Sequence, residues 1–432
     1  MRSFYLAEPD EASLGITSST MESIAPKKFN PDPFPYHHEL ELTVESLTNL
    51  GVGVAKVDGW VVMVHFAVPG ERIRARIYRN HKNYSEADLI KVIEASPYRK
   101  QPSCEYFGKC GGCQYQHMTY AHQLTWKSRH VTEVMEKIGG MKLEVPTPLH
   151  SEKELRYRSK ITPHHQKPRQ QQLGSFGFLA VARRNQIVDI ESCVIATEAI
   201  NEEFAHQREI RQLEARKGKL KKGATLLLRH SMEGVTTQSQ DAVTEKVGNR
   251  IFQFKAGDFF QNNPYALPVM VEHVVEQAAS SNLPNLIDAY CGSGLFSISA
   301  AHEFESVLGI EISESSIKWA KANAALNQIK NCNYIAGDAS EIFSNVPFAP
   351  DETVIIIDPP RKGCDEVFLN QLFSYQPARV VYVSCDPATQ ARDLKLFVEN
   401  NYSIRNIQPI DLFPQTRHIE NVITLDREAK SG

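Results

Sequence analysis

The chain has 432 residues, of which 42% are hydrophobic, and its formal net charge is −3. A single hydrophobic core rarely grows beyond about 250 residues, so we expect two or three domains. No stretch approaches the ~20 apolar residues that a membrane span requires, and the amino terminus lacks a basic, apolar leader, so we expect a cytoplasmic protein that binds no membrane. The charge balance excludes a strongly basic protein, and any nucleic-acid binding must come from local patches.

The amino-terminal part of the chain predicts a small β-domain behind a flexible extension. Residues 1–35 are polar and aperiodic. Residues 36–95 alternate apolar and polar side chains between Gly and Pro turns, which predicts an antiparallel, OB-like barrel. Its segment "ERIRARIYRNHK" places Arg72, Arg74 and Arg76 on one side. A phosphate-binding surface and a solvated strand face are equally good interpretations of that side.

Residues 96–255 are less regular and predict a central α+β domain. The segment "QLTWKSRHVTEVMEKIG" within 122–150 is amphipathic, so this segment is expected to pack on the catalytic domain that follows. Two basic runs, "RYRSKITPHHQKPR" and "REIRQLEARKGKLKK", occur in the same region. The second predicts an exposed helix, for which solvation is the default explanation and RNA contact the alternative.

Three cysteines are crowded into "CEYFGKCGGC", namely Cys104, Cys110 and Cys113, and Cys193 is the only other cysteine before the last domain. In a reducing compartment such a group indicates a metal or cofactor site rather than a disulfide framework. Four thiolates hold either a structural zinc ion or an iron–sulfur cluster, and the spacing alone does not choose between them.

From residue 256 to 432, apolar strands alternate with helical segments, and the last two strands are close in sequence. This order predicts an α/β domain, a Rossmann-like doubly wound sheet with mostly parallel strands. Ligands bind such sheets at the carboxyl ends of the strands. The chemically active residues below all occur at those ends.

A cofactor site is indicated by "LIDAYCGSG", in which Asp288 ends a strand and a Gly-x-Gly turn begins at Gly292. Glu311 closes the next strand, where a carboxylate accepts both ribose hydroxyls, and Asp338 follows the third strand, suited to an adenine amino group. Ser297 stands where the dinucleotide fingerprint has its third glycine, so a nucleoside without a pyrophosphate fits better than NAD. S-adenosylmethionine is the expected cofactor.

Two loops add residues to the predicted pocket. Asp358 and two prolines end the fourth strand, and prolines there favour a stiff loop that lines a pocket. The segment "AGDFFQNNP" precedes the first helix of the domain, and its Gln261 is well placed to bind a ligand. We expect Phe259 and Phe260 to lie in the core.

Cys385 lies in "VVYVSCDPAT", where a buried strand ends and Asp386 and Pro387 begin a helix. The helix dipole and its free N–H groups are expected to favour the thiolate. A thiolate, a methyl donor and a base suit methylation of a pyrimidine at C5, since thiolate addition at C6 makes C5 nucleophilic. Cys385 is then the nucleophile and Glu420, in "TRHIENVITL", the base that removes the C5 proton.

The sequence resembles the RNA uracil-5 methyltransferases, and in particular the branch that methylates 23S ribosomal RNA. The resemblance lies in "GDFFQNN", "DAYCGSG", "GIE", "DPPRKG", "SCDPAT" and "RHIENV", in that order, and the amino-terminal barrel resembles the TRAM module. One departure is Leu295, where many relatives have an asparagine.

The resemblance implies an RNA substrate, S-adenosylmethionine as cofactor and a 4Fe-4S cluster, with ribosomal RNA as the first target and the T-loop uridine of tRNA as the alternative. We expect a monomer without an obligate protein partner, although the sequence itself leaves the oligomeric state open. A non-catalytic RNA-binding protein and an oxidoreductase are the rival classes. The residues that it implies are the nucleophile Cys385 and base Glu420, the pocket residues Gln261, Tyr290, Gly292, Glu311, Asp338 and Asp358, and the cluster ligands Cys104, Cys110, Cys113 and Cys193.

Overall fold

The computed structural model describes residues 25–181, 183–337, 343 and 346–428, without the side chains of residues 183 and 184. Asp338 lies outside these residues. The chain divides into two compact units, which are residues up to 108 with 113–123, and residues 109–112 with 124 onward. The predicted central domain therefore forms no unit of its own, because most of it shares a unit with the α/β part.

The first unit contains a curled sheet whose described strands follow the order β1-β5-β6-β4-β3-β2. The strands are β1 (Glu39–Thr43), β2 (Ser46–Leu47), β3 (Val52–Val57), β4 (Trp60–His65), β5 (Arg72–Asn80) and β6 (Tyr84–Glu94). Along β5, Ile73 and Ile77 are buried in the core while the arginines between them point outward. Arg72 pairs with Glu94 at 2.7 Å and Arg74 with Glu41 at 3.0 Å, which favours the solvated-face interpretation of this strand.

The predicted flexible extension is shorter than expected. Phe29 and Phe34 pack against the barrel core, and the Asn80 Nδ2 donates to the carbonyls of Asn30 at 2.8 Å and Phe34 at 2.7 Å. The segment before β1 is therefore packed on the barrel, because the buried Asn80 amide hydrogen-bonds two carbonyl groups of that segment. Residues 1–24 lie outside the described part of the chain.

The segment from residue 120 to 255 holds two helices and several small sheets. Its described elements are α1 (Tyr120–Lys137), β7 (Leu149–His150), β8 (Lys160–Ile161), β9 (His164–His165), β10 (Phe176–Ala180), β11 (Arg183–Asp189), α2 (Glu198–Arg216), β12 (Ala224–Thr225), β13 (Leu228–Ser231), β14 (Gly234–Thr236), β15 (Ala242–Val247) and β16 (Arg250–Lys255). They pair in the orders β11-β10-β9-β12, β14-β13-β8 and β15-β16. Helix α2 buries Ile200 and Phe204, and the predicted basic helix ends at Arg216.

The carboxyl-terminal part forms the predicted doubly wound α/β fold. Its elements are α3 (Leu267–Ala279), β17 (Asn285–Ala289), α4 (Leu295–Ala300), β18 (Ser306–Glu311), α5 (Glu314–Leu326), β19 (Cys332–Ala336), β20 (Thr353–Ile357), α6 (Glu366–Tyr375), β21 (Arg379–Ser384), α7 (Pro387–Glu399), β22 (Tyr402–Asp411) and β23 (Glu420–Arg427). The described sheet has the order β19-β18-β17-β20-β21-β23-β22-β7. Strands β17 to β21 are parallel, whereas β23 is antiparallel to both of its neighbours. The sequence prediction of this fold class is confirmed.

Helices cover both faces of this sheet. Residues of α3, α4 and α5 form one core layer, and residues of α6 and α7 form the other. Val131 and Met135 of α1 join the second layer, and β7 adds to the sheet beside β22. Residues 124–150 therefore lie in the same unit as the α/β part. None of the described helices has the length and apolar character of a membrane span.

Candidate active site

The strand order places the crevice for a ligand. The chain leaves β17 toward β18 on one side, and β20 lies on the other side of β17. Connections that depart in opposite directions leave a gap above the carboxyl ends of those two strands, where ligands bind. Tyr290 and Asp358 immediately follow β17 and β20, so both stand at this gap.

Cys385 and Glu420 are brought together by the antiparallel pairing of β21 and β23. The last recorded pair is Ser384 opposite Asn421, and one further step brings Cys385 opposite Glu420. Facing residues of an antiparallel pair have Cα atoms about 4.5–5.5 Å apart. The predicted nucleophile and the predicted base are thus neighbours across the end of the sheet.

The Cys385 thiol is not the thiolate that the helix N-terminus was expected to favour. Burial, together with the charges of Glu420 and Asp358, raises its pKa to about 12. The expected N–H groups have another partner, because the Asp386 carboxylate accepts from Ala388 N at 3.0 Å and Thr389 N at 3.4 Å. The expectation was wrong in that the helix cap occupies the groups which would have stabilised the thiolate.

Arg361 is the functional side chain that the sequence analysis missed. Its guanidinium hydrogen-bonds the Cys385 sulfur, and its charge lowers the pKa values of Cys385 and Glu420 against the dominant effect of burial. It also contributes to the lowered pKa of His418, for which burial is the main cause. The only sequence signal is a cation three residues after Asp358 in "DPPRKG", which is too common to identify a site.

The Arg361 loop is fastened to the helix that follows Cys385. Thr389 Oγ1 donates to the Arg361 carbonyl at 3.2 Å, and Arg392 Nη2 donates to the Lys362 carbonyl at 3.0 Å. Asp393 is 1% exposed, and its Oδ2 accepts from Cys364 N at 3.0 Å. One helix therefore sets the position of Arg361 relative to the thiol.

The site raises the pKa values of two of its carboxyl groups, Glu420 and Asp358. Glu420 is buried, and burial and then the charge of Asp358 raise its pKa well above the ordinary value. Burial also raises the pKa of Asp358 to about 7, with a smaller contribution from Asp288. Like charges close together in a site of low polarity cannot all ionise, and a cation bound beside them would favour their ionised forms.

The glycine turn after β17 has the features of a nucleoside site. Gly292 has φ +54°, and a Cβ added there would meet no atom within 4 Å, so the backbone borders open space. Gly292 N donates to Glu311 Oε2 at 3.2 Å and Ser313 N to Glu311 Oε1 at 2.9 Å. A carboxylate offers about four acceptor positions, so Glu311 keeps lone pairs for ribose hydroxyls.

Asp288 presents a buried acceptor at the same end of the sheet. Its Oδ2 accepts from Ser297 N at 2.8 Å, whereas its Oδ1 is buried and has no hydrogen-bond partner among the described residues. A buried acceptor without a donor costs about 1–3 kcal/mol, which a bound ammonium group would recover. Open glycine backbone, Glu311 and Asp288 together fit S-adenosylmethionine.

The remaining pocket residues differ in conformation from simple core positions. Tyr290 has φ +67°, a left-handed conformation that a non-glycine residue adopts at a cost of about 1–3 kcal/mol and that clusters at functional sites. Gln261 is 8% exposed, so its side chain is buried next to the pocket loop.

The two phenylalanines before Gln261 differ in burial. Phe260 is buried and its ring stacks on that of Phe254, with the ring centroids 4.3 Å apart, as expected. Phe259 is 79% exposed, so the prediction that it lies in the core was wrong.

Comparison with protein families identifies the catalytic part. The model described as tRNA (Uracil-5-)-methyltransferase matches residues 193–347 and 348–428, and the TRAM domain model matches residues 38–90. The first match contains all the residues of the cofactor and catalytic site described above, from Gln261 to Glu420. The chain belongs to the tRNA (uracil-5-)-methyltransferase family. It is an RNA uracil-5-methyltransferase with a TRAM domain, and S-adenosylmethionine is its methyl donor.

Relatives in this family cover most of the chain. A protein of Schizosaccharomyces pombe named tRNA (uracil(54)-C(5))-methyltransferase is 39% identical over 91% of this chain and 79% of its own length. The protein of that name from Saccharomyces cerevisiae is 33% identical over 92% of this chain and 75% of its own length. The structure of Pyrococcus abyssi tRNA (uracil-54, C5)-methyltransferase with S-adenosyl-L-homocysteine has a TM-score of 0.68 at 23% identity and covers 89% of this chain and 100% of that one. This likeness supports the fold.

The four cysteines predicted to be metal ligands are divided between the two units of the chain. Cys104 and Cys113 belong to the first unit, and Cys110 and Cys193 belong to the second. Among the described residues, no group of three His, Cys, Asp or Glu side chains is arranged to hold a metal ion. The 4Fe-4S cluster therefore stays a prediction of the family resemblance, and no step of the reaction below depends on it.

Proposed function

We propose that this enzyme methylates C5 of a uridine in transfer RNA, with Cys385 as the nucleophile and Glu420 as the base. The observation that carries the proposal is the facing position of these two residues across β21 and β23. A nucleophile and a base on opposite strands reach the two adjacent ring carbons of one uracil. A uracil must leave its stack to enter such a pocket.

The reaction begins at the thiol. Cys385 Sγ adds to C6 as its thiolate, with a new S–C6 bond, and the electron pair of the C5–C6 double bond moves onto C5 and the O4 enolate. Arg361 assists, because it hydrogen-bonds this sulfur and lowers its pKa. S-adenosylmethionine, when bound, supplies the methyl group and brings a positive charge close to the carboxylates.

Glu420 completes the turnover. It removes the C5 proton, the C5–C6 double bond re-forms, and the bond between C6 and Cys385 Sγ breaks, so the thiolate is released. Burial raises the pKa of Glu420, which makes its ionised form a stronger base than an exposed glutamate. The charge of Arg361 opposes that shift and favours the ionised form.

The cofactor pocket is assigned to residues around the glycine turn. Gly292 lets the backbone approach the ligand, Glu311 accepts the ribose hydroxyls, and Asp288 accepts from the ammonium group. Tyr290, Gln261 and Asp358 border the target uracil, and Asp338 remains the predicted partner of the adenine amino group. Phe259 is exposed next to Gln261, and we propose that it stacks on a base of the RNA.

Transfer RNA is a better supported target than 23S ribosomal RNA. The relatives at 39% and 33% identity are both named for uracil 54 of tRNA. The purified enzyme, given labelled S-adenosylmethionine, should form 5-methyluridine at that position in unmodified tRNA and not in 23S ribosomal RNA. A product confined to ribosomal RNA would reverse the assignment of the target. No product in either RNA would contradict the proposed function.

The iron–sulfur cluster remains a prediction of the family resemblance. Two local features are compatible with it: Gly112 N donates to Cys110 Sγ at 3.5 Å, and the backbone N–H groups of Ile195 and Ala196 hydrogen-bond the Cys193 sulfur. N–H donors to sulfur are the usual outer shell of cluster thiolates. Iron and sulfide analysis of anaerobically purified protein tests it, with about four irons expected for this cluster type. Stoichiometric zinc, or no metal, would contradict it.

A further inference from the structure

The second basic run of the sequence consists of two parts with different surroundings. In the first part, Arg208 pairs with Asp189 at 2.9 Å and donates to the carbonyl of Phe176 at 2.8 Å. Arg211 pairs with Glu214 at 2.6 Å. Arg208 therefore holds helix α2 against the small sheet beside it, and Arg211 pairs within the helix. They are structural and do not need an external partner.

The second part begins where α2 ends and has different properties. Residues 216–223, "RKGKLKKG", contain five cations and no acidic residue. All five cations are exposed, and none forms an ion pair with another described residue. Arg216 and Lys217 have a local explanation, since cations at the end of a helix offset its dipole. Lys219, Lys221 and Lys222 lie beyond the helix and have none.

A second cationic segment lies beside the first. The loop between β9 and β10, residues 166–175, contains exposed Lys167 and Arg169 and no acidic residue. Strand β12, which directly follows the lysines, pairs with β9 with Ala224 opposite His165. The two chains approach so closely at Gly223 that an added Cβ would be 3.3 Å from Lys167 N. Two segments more than 40 residues apart in sequence, neither of which contains an acidic residue, thus lie side by side.

The tip of the β9–β10 loop has a conformation that its residues do not prefer. Arg169 and Gln172 exchange both backbone hydrogen bonds, at 3.1 and 2.9 Å, around Gln170 and Gln171 with φ +48° and +61°. Asn and Gly are the usual residues of such a tight turn. The glutamines are exposed and present amide groups beside the cations. Amides and cations are the groups that bind RNA phosphates and sugars.

The same segment leads directly back to the catalytic pocket. Lys160 in β8 donates through Nζ to the carbonyls of Gly257 and Asp258, both at 3.2 Å, just before Phe259 and Gln261. Lys167 is the seventh residue after Lys160, a span of at most about 25 Å for an extended chain. The cationic surface therefore lies within reach of a structured RNA whose target base occupies the pocket.

We propose that this cationic surface, defined as Lys167, Arg169, Lys219, Lys221 and Lys222, binds the phosphate backbone of the RNA substrate outside the target nucleotide. The inference rests on the proposed function and deepens it. The cationic surface adds affinity for structured RNA. The total charge of the protein does not supply this affinity, because the net charge is −3. RNA is favoured over an acidic protein because the surface continues a segment that touches the pocket loop.

The test compares two variants with the same loss of charge. In the surface variant, all five residues of the cationic surface are changed to glutamine. In the control variant, five exposed lysines of the second unit that lie outside the two cationic segments are changed to glutamine, namely Lys246, Lys318, Lys321, Lys330 and Lys395. Binding of unmodified tRNA is measured by fluorescence anisotropy between 50 and 200 mM salt. Each phosphate contact contributes a slope of about 0.7 to 0.9 in log K against log salt.

The surface variant should lose about 3.5 to 4.5 units of that slope and bind tRNA about a hundredfold more weakly at the low-salt end. The control variant should retain the wild-type slope. The proposal would be overturned if the two variants bound tRNA with the same affinity and the same salt dependence, whether or not both were weaker than the wild type. The thermal unfolding temperature should be the same for the wild-type protein and both variants, because the changed side chains are exposed.

The activity separates this proposal from the proposed function. With saturating tRNA, the surface variant should form 5-methyluridine at the wild-type kcat, whereas its KM for tRNA should rise with the loss in affinity. A lower kcat with unchanged KM would assign the lysines to another role and overturn the proposal. If wild-type enzyme makes no 5-methyluridine, the proposed function fails, and the binding comparison still decides whether the cationic surface holds RNA.

Discussion

Cys385 and Glu420 occupy facing positions one step beyond the Ser384–Asn421 pair of β21 and β23. This relationship arises because β23 is antiparallel to β21. A parallel strand in its place would have brought its own carboxyl end next to the thiol.

The pair leads to a direct test with RNA that carries 5-fluorouracil at the target position. Fluorine at C5 leaves Glu420 no proton to remove, so wild-type enzyme should methylate once and stay covalently bound.

Substitutions distinguish the two roles in that trap. Cys385→Ala should form no adduct and show no turnover. Glu420→Gln should transfer the methyl group but release the RNA slowly, so it should accumulate a covalent complex even on ordinary uracil. Denaturing gels and mass spectrometry report the adduct, and cofactor binding checks that both variants are folded. An active Cys385→Ala enzyme would refute the mechanism.

Removal of Arg361 should make the thiol less reactive. Arg361 lowers the pKa of Cys385, which burial and carboxylates raise to about 12, so Arg361→Gln should shift thiolate formation to still higher pH. Loss of a charge-assisted hydrogen bond of about 1.5–3 kcal/mol corresponds to a roughly ten- to hundredfold slower reaction at neutral pH. The rate of Cys385 alkylation against pH, followed by peptide mass spectrometry, measures the shift. Arg361→Lys keeps the charge and should recover part of the rate; equal alkylation of all three proteins would contradict the role.

Stability without cofactor should fall as the pH rises toward neutrality, partly through Asp288. Burial raises its pKa to about 7 from an ordinary 3.8, so the folded protein binds a proton that the unfolded chain has lost. This contribution is present below about pH 4 and is lost as the pH rises through about 7. Denaturant unfolding at pH 5 and pH 8 should show a smaller pH dependence in Asp288→Asn. An unchanged pH dependence would mean that Asp288 is ionised in the folded protein.

The buried pair of Lys127 and Asp411 should be important for stability. Lys127 Nζ lies 2.7 Å from Asp411 Oδ1, and both side chains are 0% exposed. Lys127→Met leaves a buried carboxylate without its cation and should lower the free energy of unfolding by about 3–5 kcal/mol. The exposed pair of Lys137 and Glu133 on the same helix is the matched control, and Lys137→Met should cost at most about 0.5 kcal/mol. Similar losses in the two variants would contradict this.

Much of the catalytic domain was determined by the sequence alone. Alternating apolar strands and helices predicted the doubly wound sheet, because buried parallel strands require continuous apolar runs. The residues at strand ends followed from that fold, since the carboxyl ends of parallel strands share one edge. Asp288, Glu311, Asp358 and Cys385 were therefore found without coordinates, each at the end of its strand.

The tertiary structure decided what surrounds those residues. The protonation of Cys385 depends on burial, on Glu420 and on Arg361, which are distant in sequence, and on a cap that takes the helix N–H groups. The tertiary structure also decided that Phe259 is exposed while Phe260 is buried. The pairing of β9 with β12 brought the two basic runs together on one surface. Sequence periodicity reports which face of an element is apolar, but pKa values and surface charge arise from contacts between elements, and only the folded chain brings those together.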